Sequence, residues 1–391
     1  MAWMIREDQL DPDQREFINV ESKKSGNIWV KGFAGSGKSV LLIHSLKDII
    51  QKEPNAKVAV VVYTLSLIDM FKTGMQELNL SSSIPVMTYI EFVDKNSQYF
   101  DYIFCDEVQD LPAKVLYAMN NRARKVIVAG DSNQSIYDTD PRWQEPVVNP
   151  NQVGDIINAR AFALNIIHRL SRDIIKVVQR LIPNINVWGN RRDATTGSTM
   201  IRLCEASSEQ EEVKYIYQEA LKGANVGEST AILLPTANTI TKFVNLILEN
   251  NNKQQWTERM DRWGNRLDYG DLNRHLRSNG IKLQFVGSGY GSLKDAEQNK
   301  EAIIMTYHSS KGLDFVNVFV PFLNTHFWLH PNKAETVFMV AMTRSRKNLY
   351  LTYFGYTHDL VDRFKDECHK VIISDVLNPR STNRSTNNFD F

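Results

Sequence analysis

The stretch Gly32-Phe33-Ala34-Gly35-Ser36-Gly37-Lys38-Ser39 has the spacing GxxxxGK[ST], in which glycines let successive backbone N–H groups converge on phosphate oxygens. In that reading Lys38 reaches the β and γ phosphates of a nucleoside triphosphate, ATP above all, and Ser39 offers its hydroxyl to magnesium. Asp106-Glu107-Val108-Gln109-Asp110 supplies acidic chemistry to match. Asp106 would hold the magnesium, directly or through water, and Glu107 would take the proton of an attacking water as general base. A third segment, Gly130-Asp131-Ser132-Asn133-Gln134-Ser135-Ile136-Tyr137, contains Gln134, a polar, uncharged side chain suited to orienting a water beside the γ phosphate. Gly-Asp-Ser-Asn alone is also good turn chemistry, so this segment takes its meaning from the other two.

Elements must bring these residues together. Apolar strand-like runs at 27–31, 56–63, 102–105 and 125–129 alternate with helical patterns, which predicts a parallel sheet covered by helices. The phosphate loop follows the first run and opens a helix, the acidic box ends the third run, and the glycine-led segment ends the fourth. In an open parallel sheet such C-terminal ends share the edge where ligands bind. A second series of runs, at 200–204, 231–234, 302–306, 316–320 and 349–353, has helical patterns at 207–222, 237–249 and 334–345. The expectation is an α/β chain of two units, 1–155 and 156–375, divided in the polar, proline-bearing stretch 137–153. Residues 250–280, rich in Asn, Gln, Arg and Asp with Trp256 and Trp263 as apolar anchors, read as a small insertion. Residues 376–391 read as a flexible tail.

Composition narrows the classes. The 391 residues suffice for roughly two to three domains, and 46 Lys plus Arg against 45 Asp plus Glu give a formal charge of +1. No bulk field commits the chain to a polyanion, so a nucleic-acid site must be local. The 42% apolar and 23% charged residues are a globular balance that excludes a collagenous or largely disordered chain. Cys105, Cys204 and Cys368 form no CxxC pair and no even disulfide framework. With no basic-then-apolar leader, and with the run around 58–68 interrupted by Thr64 and Ser66, the expected setting is cytoplasmic, with no membrane contact.

The order of these motifs resembles the UvrD-like superfamily 1 helicases over roughly residues 10–355. Leu10-Asp-Pro-Asp-Gln14 is similar to the family's adenine-reading glutamine motif, 32–39 to its phosphate loop, 106–110 to its DExQD box and 130–137 to its GDxxQSIY segment. His168-Arg169 stands where the family has Tyr-Arg. Thr306-Tyr-His308-Ser-Ser-Lys311-Gly-Leu-Asp314-Phe resembles TxHxxKGLEF, and Val340-Ala-Met-Thr-Arg344 resembles VALTR. The resemblance implies two tandem RecA-like P-loop NTPase domains with ATP in the cleft between them. Gln14 would read adenine, His168 would stack beside the base, Asp314 would approach the ribose, and Arg169 and Arg344 would act as arginine fingers.

The same resemblance implies a single-stranded DNA partner, with RNA as the other candidate strand. Tyr63 and Thr64 match part of the family's TFTN motif, Thr88 and Tyr89 fall where a further strand-binding segment lies, and Thr306 and His308 would touch the strand from the second unit. Two departures stand out. Asp138-Thr139-Asp140 replaces a charged residue, an aromatic residue and an arginine, so its carboxylates are expected to repel phosphate. Neither large accessory insertion of the family fits in the chain. The leading function is therefore a compact ATP-dependent helicase or translocase. The second reading is a nucleotide- or nucleic-acid-sensing regulatory ATPase subunit beside a nuclease, in an assembly such as a phage-defence system.

Overall fold

A computed structural model describes residues 4–185, 191–192, 197–261, 266–327, 329 and 331–378. Strands β1 (Asn27–Gly32), β2 (Val58–Val62), β3 (Val86–Thr88), β4 (Phe100–Cys105), β5 (Ala123–Gly130) and β6 (Ala159–Leu164) form the first sheet. Their order is β3-β2-β4-β5-β1-β6, and every pairing is parallel. The composition explains the placement: β2 reads Val-Ala-Val-Val-Val and is buried at all five positions, as a strand covered on both faces requires. The helix Lys38–Lys52 packs on β1 and β5 with a face that includes Leu41, Leu42, Leu46 and Ile49.

β7 (Ile166–Ile167) pairs with β8 (Arg191–Arg192) as a short two-stranded element. The second sheet comprises β9 (Met200–Ala206), β10 (Thr230–Leu234), β11 (Leu283–Phe285), β12 (Ala302–Thr306), β13 (Phe315–Val320), β14 (Ser345–Phe354) and β15 (His369–Ile372). It is ordered β11-β12-β10-β13-β14-β9-β15 and is parallel throughout. The chain is thus two tandem parallel α/β domains of RecA-like architecture. Among the described residues no helix is long and apolar enough to cross a membrane.

Three expectations need adjustment. The division near 155 comes too early, because β6 runs beside β1 in register from Asn27↔Ala159 to Gly32↔Leu164; the first sheet ends at Leu164. The 250–280 region is not a surface excursion throughout. Its helix Tyr269–Ser278 buries Leu272 and Leu276 in the second core, and Trp256, 4% exposed, donates its ring N–H to Asp271 Oδ2 at 2.9 Å. The first two residues of the expected tail, Val376 and Leu377, end a helix, Ile373–Leu377, anchored by buried Ile373. Trp263 and residues 379–391, including the rest of that tail, lie outside the described residues.

The two cores meet at the phosphate loop. Phe33, Ala34 and Ile136 of the first domain belong to the same apolar cluster as Ile174, Val340 and Leu349 of the second. The interface is therefore continuous with the edge on which β1, β4 and β5 deliver their motifs.

Candidate nucleotide site between the two domains

The phosphate loop leaves β1 and enters the helix Lys38–Lys52, whose first N–H groups and dipole favour an anion. Gly35 (φ +76°) and Gly37 (φ +78°) take left-handed conformations. Their missing side chains also make room, since a Cβ would stand 2.7 Å from Arg169 Cβ at Gly35 and 2.4 Å from Gln14 Nε2 at Gly37. At Gly32 it would stand 2.3 Å from Ser36 Oγ. Lys38 Nζ donates to the carbonyls of Gly32 (2.8 Å) and Phe33 (3.2 Å), folded over its own loop.

Gln14 is fixed by a capping box at the helix Pro12–Asn19. Its N–H donates to Asp11 Oδ1 (2.8 Å), its Oε1 accepts from Asp11 N–H (3.1 Å), and its Nε2 reaches the Ser36 carbonyl at 3.4 Å. The His168 N–H donates to the Gly35 carbonyl (2.9 Å), and its ring Nε2 lies 2.6 Å from Asp11 Oδ2. Gln14 and His168 are thus brought to one end of the cleft by a shared aspartate.

At the end of β4, Ser39 Oγ donates to Asp106 Oδ2 at 2.5 Å. A hydroxyl and a carboxylate converging beside a phosphate loop are the donor set of a small hard cation such as magnesium. Burial, reinforced by the charge of Glu107, pushes the Asp106 carboxyl up to about 6, a cost that a bound cation would relieve. Among the described residues there is no group of three or more His, Cys, Asp and Glu side chains that could hold a metal ion. Glu107 takes a left-handed backbone (φ 56°), uncommon outside glycine. Burial alone would raise its carboxyl, but Lys311, Lys38, the Gln109 amide and Arg344 together hold it below its ordinary value. The Gln109 Nε2 donates to Glu107 Oε2 (2.5 Å), while its Oε1 accepts from Asp131 N–H (3.1 Å).

The second domain completes this cluster. Lys311, 1% exposed, pairs with Asp110 Oδ2, donates to the Gln134 carbonyl at 2.5 Å and stands 3.5 Å from Glu107 Oε2. Burial pushes Asp110 up to about 6, opposed by Lys311 and helped by Glu107. Arg344, also 1% exposed, donates to the carbonyls of Val340 (2.8 Å) and Leu313 (3.1 Å) and to Thr343 Oγ1 (2.9 Å). Its Nη2 reaches Gln134 Oε1 at 3.4 Å across the domain boundary. Burial first, then the charge of Arg169, bring the Arg344 guanidinium down to about 9. Arg169 Nη1 lies 3.4 Å from Asp314 Oδ2.

These groups surround a cleft of about 390 Å3 lined by Gln14, Ala34, Gly35, Gly37, Lys38, Ser39, Glu107, Gln134, His168, Arg169, Asp314 and Arg344. Gly32, Ser36 and Asp106 do not line it but are hydrogen-bonded to residues that do: Lys38, Gln14 and Ser39. Several buried polar atoms here have no hydrogen-bond partner: Ser36 Oγ, Asp131 Oδ2, Gln134 Nε2, Arg169 Nε and Arg346 Nε. Native proteins rarely leave such atoms unpaired, and their concentration in one cleft fits a polar ligand.

The residues expected at a nucleic-acid strand are arranged differently. Tyr63 and Tyr89 are buried, not displayed: their rings stack at 5.0 Å, and Tyr137 lies 4.9 Å from Tyr63. Trp143 meets Tyr89 edge-on at 5.7 Å, and His308 continues the chain of rings from Tyr137 at 5.2 Å, across the domain boundary. Thr64 and Thr88 cap the helices Leu65–Glu77 and Tyr89–Lys95 by accepting from Leu67 N–H and Glu91 N–H. Thr306 Oγ1 donates to Ser309 Oγ (2.9 Å) and accepts from Ser309 N–H (3.1 Å). Asp140 does not face a strand either. It is fully buried, accepts from Tyr89 OH at 2.8 Å and holds the turn through Arg142 and Trp143 N–H. Asp138 is exposed and pairs with Lys333 at 3.4 Å.

Sequence reasoning left Gln109, Asp110, Asp131, Lys311 and Arg346 without roles. The first four lie inside the quoted motifs, so position was the available signal. The contacts of Lys311 span 201 residues to Asp110 and 177 to Gln134, which no local pattern shows.

Residues 28–187 match the family model described as the viral superfamily 1 RNA helicase core domain, and residues 240–356 match the UvrD-like helicase C-terminal domain. No curated protein matches the chain.

Proposed function

This chain belongs to the UvrD-like superfamily 1 helicases, and from that premise we propose that it couples ATP hydrolysis to movement along single-stranded DNA. The observation that carries the proposal is the insertion of Arg344 and Lys311 from the second domain onto Gln134, Asp110 and Glu107 of the first. Hydrolytic groups divided in this way respond to any change in how the domains sit, which is what a motor needs.

The residues divide the work as follows. Lys38 exchanges its two loop carbonyls for β and γ phosphate oxygens. Ser39 and Asp106 would hold magnesium, whose charge offsets that of the phosphates. Glu107, kept ionised by the cations around it, takes the proton from the attacking water, which Gln134 orients through its amide nitrogen Nε2, an atom without a hydrogen-bond partner. Arg169 and Arg344 neutralise charge developing on the transferred phosphoryl group, a role worth on the order of 10³ to 10⁵ in rate in related enzymes. Gln14 and His168 read the base. We place the protein in a reducing, cytoplasmic setting on the strength of its three free cysteines.

One observation favours the second reading, a sensing ATPase subunit beside a nuclease. The Tyr63 ring packs against both Tyr89 and Tyr137, where a base-stacking residue would offer an open face. Steady-state ATP hydrolysis at fixed low salt, with and without single-stranded DNA or RNA and with Glu107→Gln as the blank, separates the two. Stimulation of at least about tenfold by DNA supports the motor. Glu107-dependent turnover indifferent to both strands favours the sensor, and turnover surviving in Glu107→Gln and in Lys38→Ala refutes the site itself.

A further inference from the structure

The loop that follows β5 is gripped from the second domain at several successive residues. Lys311 donates to the Gln134 carbonyl, Lys333 Nζ donates to the Ser135 carbonyl at 3.2 Å, and the His308 ring lies 5.2 Å from that of Tyr137. The first contact belongs to the nucleotide cleft and the last to the aromatic cluster. Lys333 belongs to neither, and it falls outside every motif segment described above. Its ammonium also pairs with Asp138, whose Oδ1 stands 3.4 Å away.

The two carboxylates of Asp138-Thr139-Asp140 therefore differ in kind. Asp140 serves the fold, being buried and bonded to Tyr89 OH and to the N–H groups of Arg142 and Trp143. The Asp138 side chain is 54% exposed, and its ion pair reaches across the domain boundary to a lysine that is itself 27% exposed. Such a pair holds little and is readily exchanged for another anion. Lys333 is moreover the N-cap residue of the helix Ala334–Met342, an end that no side chain caps, so the helix dipole adds to the attraction of its ammonium for an anion. The acidic residue in the first turn, Glu335, is paired with Arg363.

This ion pair sits one residue from Tyr137, at the rim of the ring cluster. Single strands are held by aromatic faces together with cations along the phosphate backbone. A strand whose bases reach Tyr137 and His308 brings its phosphates to that rim, where an anion already sits. We propose that Lys333 contacts a backbone phosphate of single-stranded DNA and that Asp138 competes with this phosphate for its ammonium. Lys333 passes from one anion to another, so Asp138 weakens strand binding without blocking it. The inference rests on the single-stranded DNA reading of the function and assigns that site a cation and a built-in competitor.

The test is fluorescence anisotropy of a dye-labelled oligothymidylate titrated with the full chain as wild type, Asp138→Asn, Lys333→Ala and the double variant, each at several salt concentrations. Asp138→Asn should tighten binding about fivefold at low salt, as for release of one exposed ion pair. It should also steepen the fall of log K with log salt by up to about 0.7, the increment of one single-strand phosphate contact. In the Lys333→Ala background the same substitution should gain less than about twofold, because only screened repulsion is left to remove. A gain as large without Lys333 as with it would overturn the proposal, since the carboxylate would then act by its charge alone. An affinity unchanged in Asp138→Asn would overturn it too, with the strand reading intact. Binding by none of the four proteins would overturn the strand reading itself and this inference with it.

Discussion

In the nucleotide cleft, Gln134, Arg169 and Arg346 each keep a buried donor without a partner, whereas in the neighbouring aromatic cluster Tyr63, Tyr89, Tyr137, Trp143 and His308 close on one another. Both regions adjoin the C-terminal edge of the first sheet, and both cross to the second domain. The first is polar, divided between the domains and left with unpaired donors, as the proposed binding of a triphosphate's charge requires. The second closes on itself everywhere but at the buried Tyr63 hydroxyl, which has no hydrogen-bond partner: stacked rings, capping threonines and a buried Asp140 that receives the Tyr89 hydroxyl. Residue type points to side chains that converge on the cleft, whereas in the aromatic cluster it points to residues whose surfaces are already covered.

Lys311 tests the cleft half of this contrast with the largest effect. Lys311→Met leaves Asp110 and Glu107 buried without their cation, and should cost about 3–5 kcal/mol in chemical denaturation; a loss under about 1 kcal/mol would mean that the cross-domain ion pair holds nothing. Tyr89→Phe probes the aromatic half. It strips Asp140 Oδ2 of a donor and should cost about 1–3 kcal/mol. Tyr63→Phe sharpens the comparison at the small end. Its buried hydroxyl has no hydrogen-bond partner, so removal should change stability by no more than about 0.5 kcal/mol. If Tyr63→Phe costs as much as Tyr89→Phe, the cluster is not the self-satisfied unit described here.

Much of this was legible from residue order. A strand, a glycine turn and a helix in 27–52 place Lys38 and Ser39 whatever the rest of the fold does, because the constraint is local. The acidic box followed for the same reason, being the end of the apolar run 102–105. Long-range pairing was not legible. β6 has an intermediate, partly exposed pattern and follows a polar stretch, so nothing in 159–164 announces that it extends the first sheet beside β1. Likewise Asp138-Thr139-Asp140 reads as two exposed carboxylates until Tyr89, 51 residues away, is seen to donate to Asp140. Family models match both domains, yet the aromatic positions carried over by resemblance, Tyr63 and Tyr89, are those whose faces the packing hides.

The central claim is that the second domain completes a nucleotide site whose binding elements belong mainly to the first. Parallel measurement of nucleotide affinity and turnover in Arg344→Ala tests it most directly. The account predicts affinity within about threefold of wild type and a fall in kcat of at least about 10³. Equal losses in affinity and turnover, or turnover left intact, would contradict it.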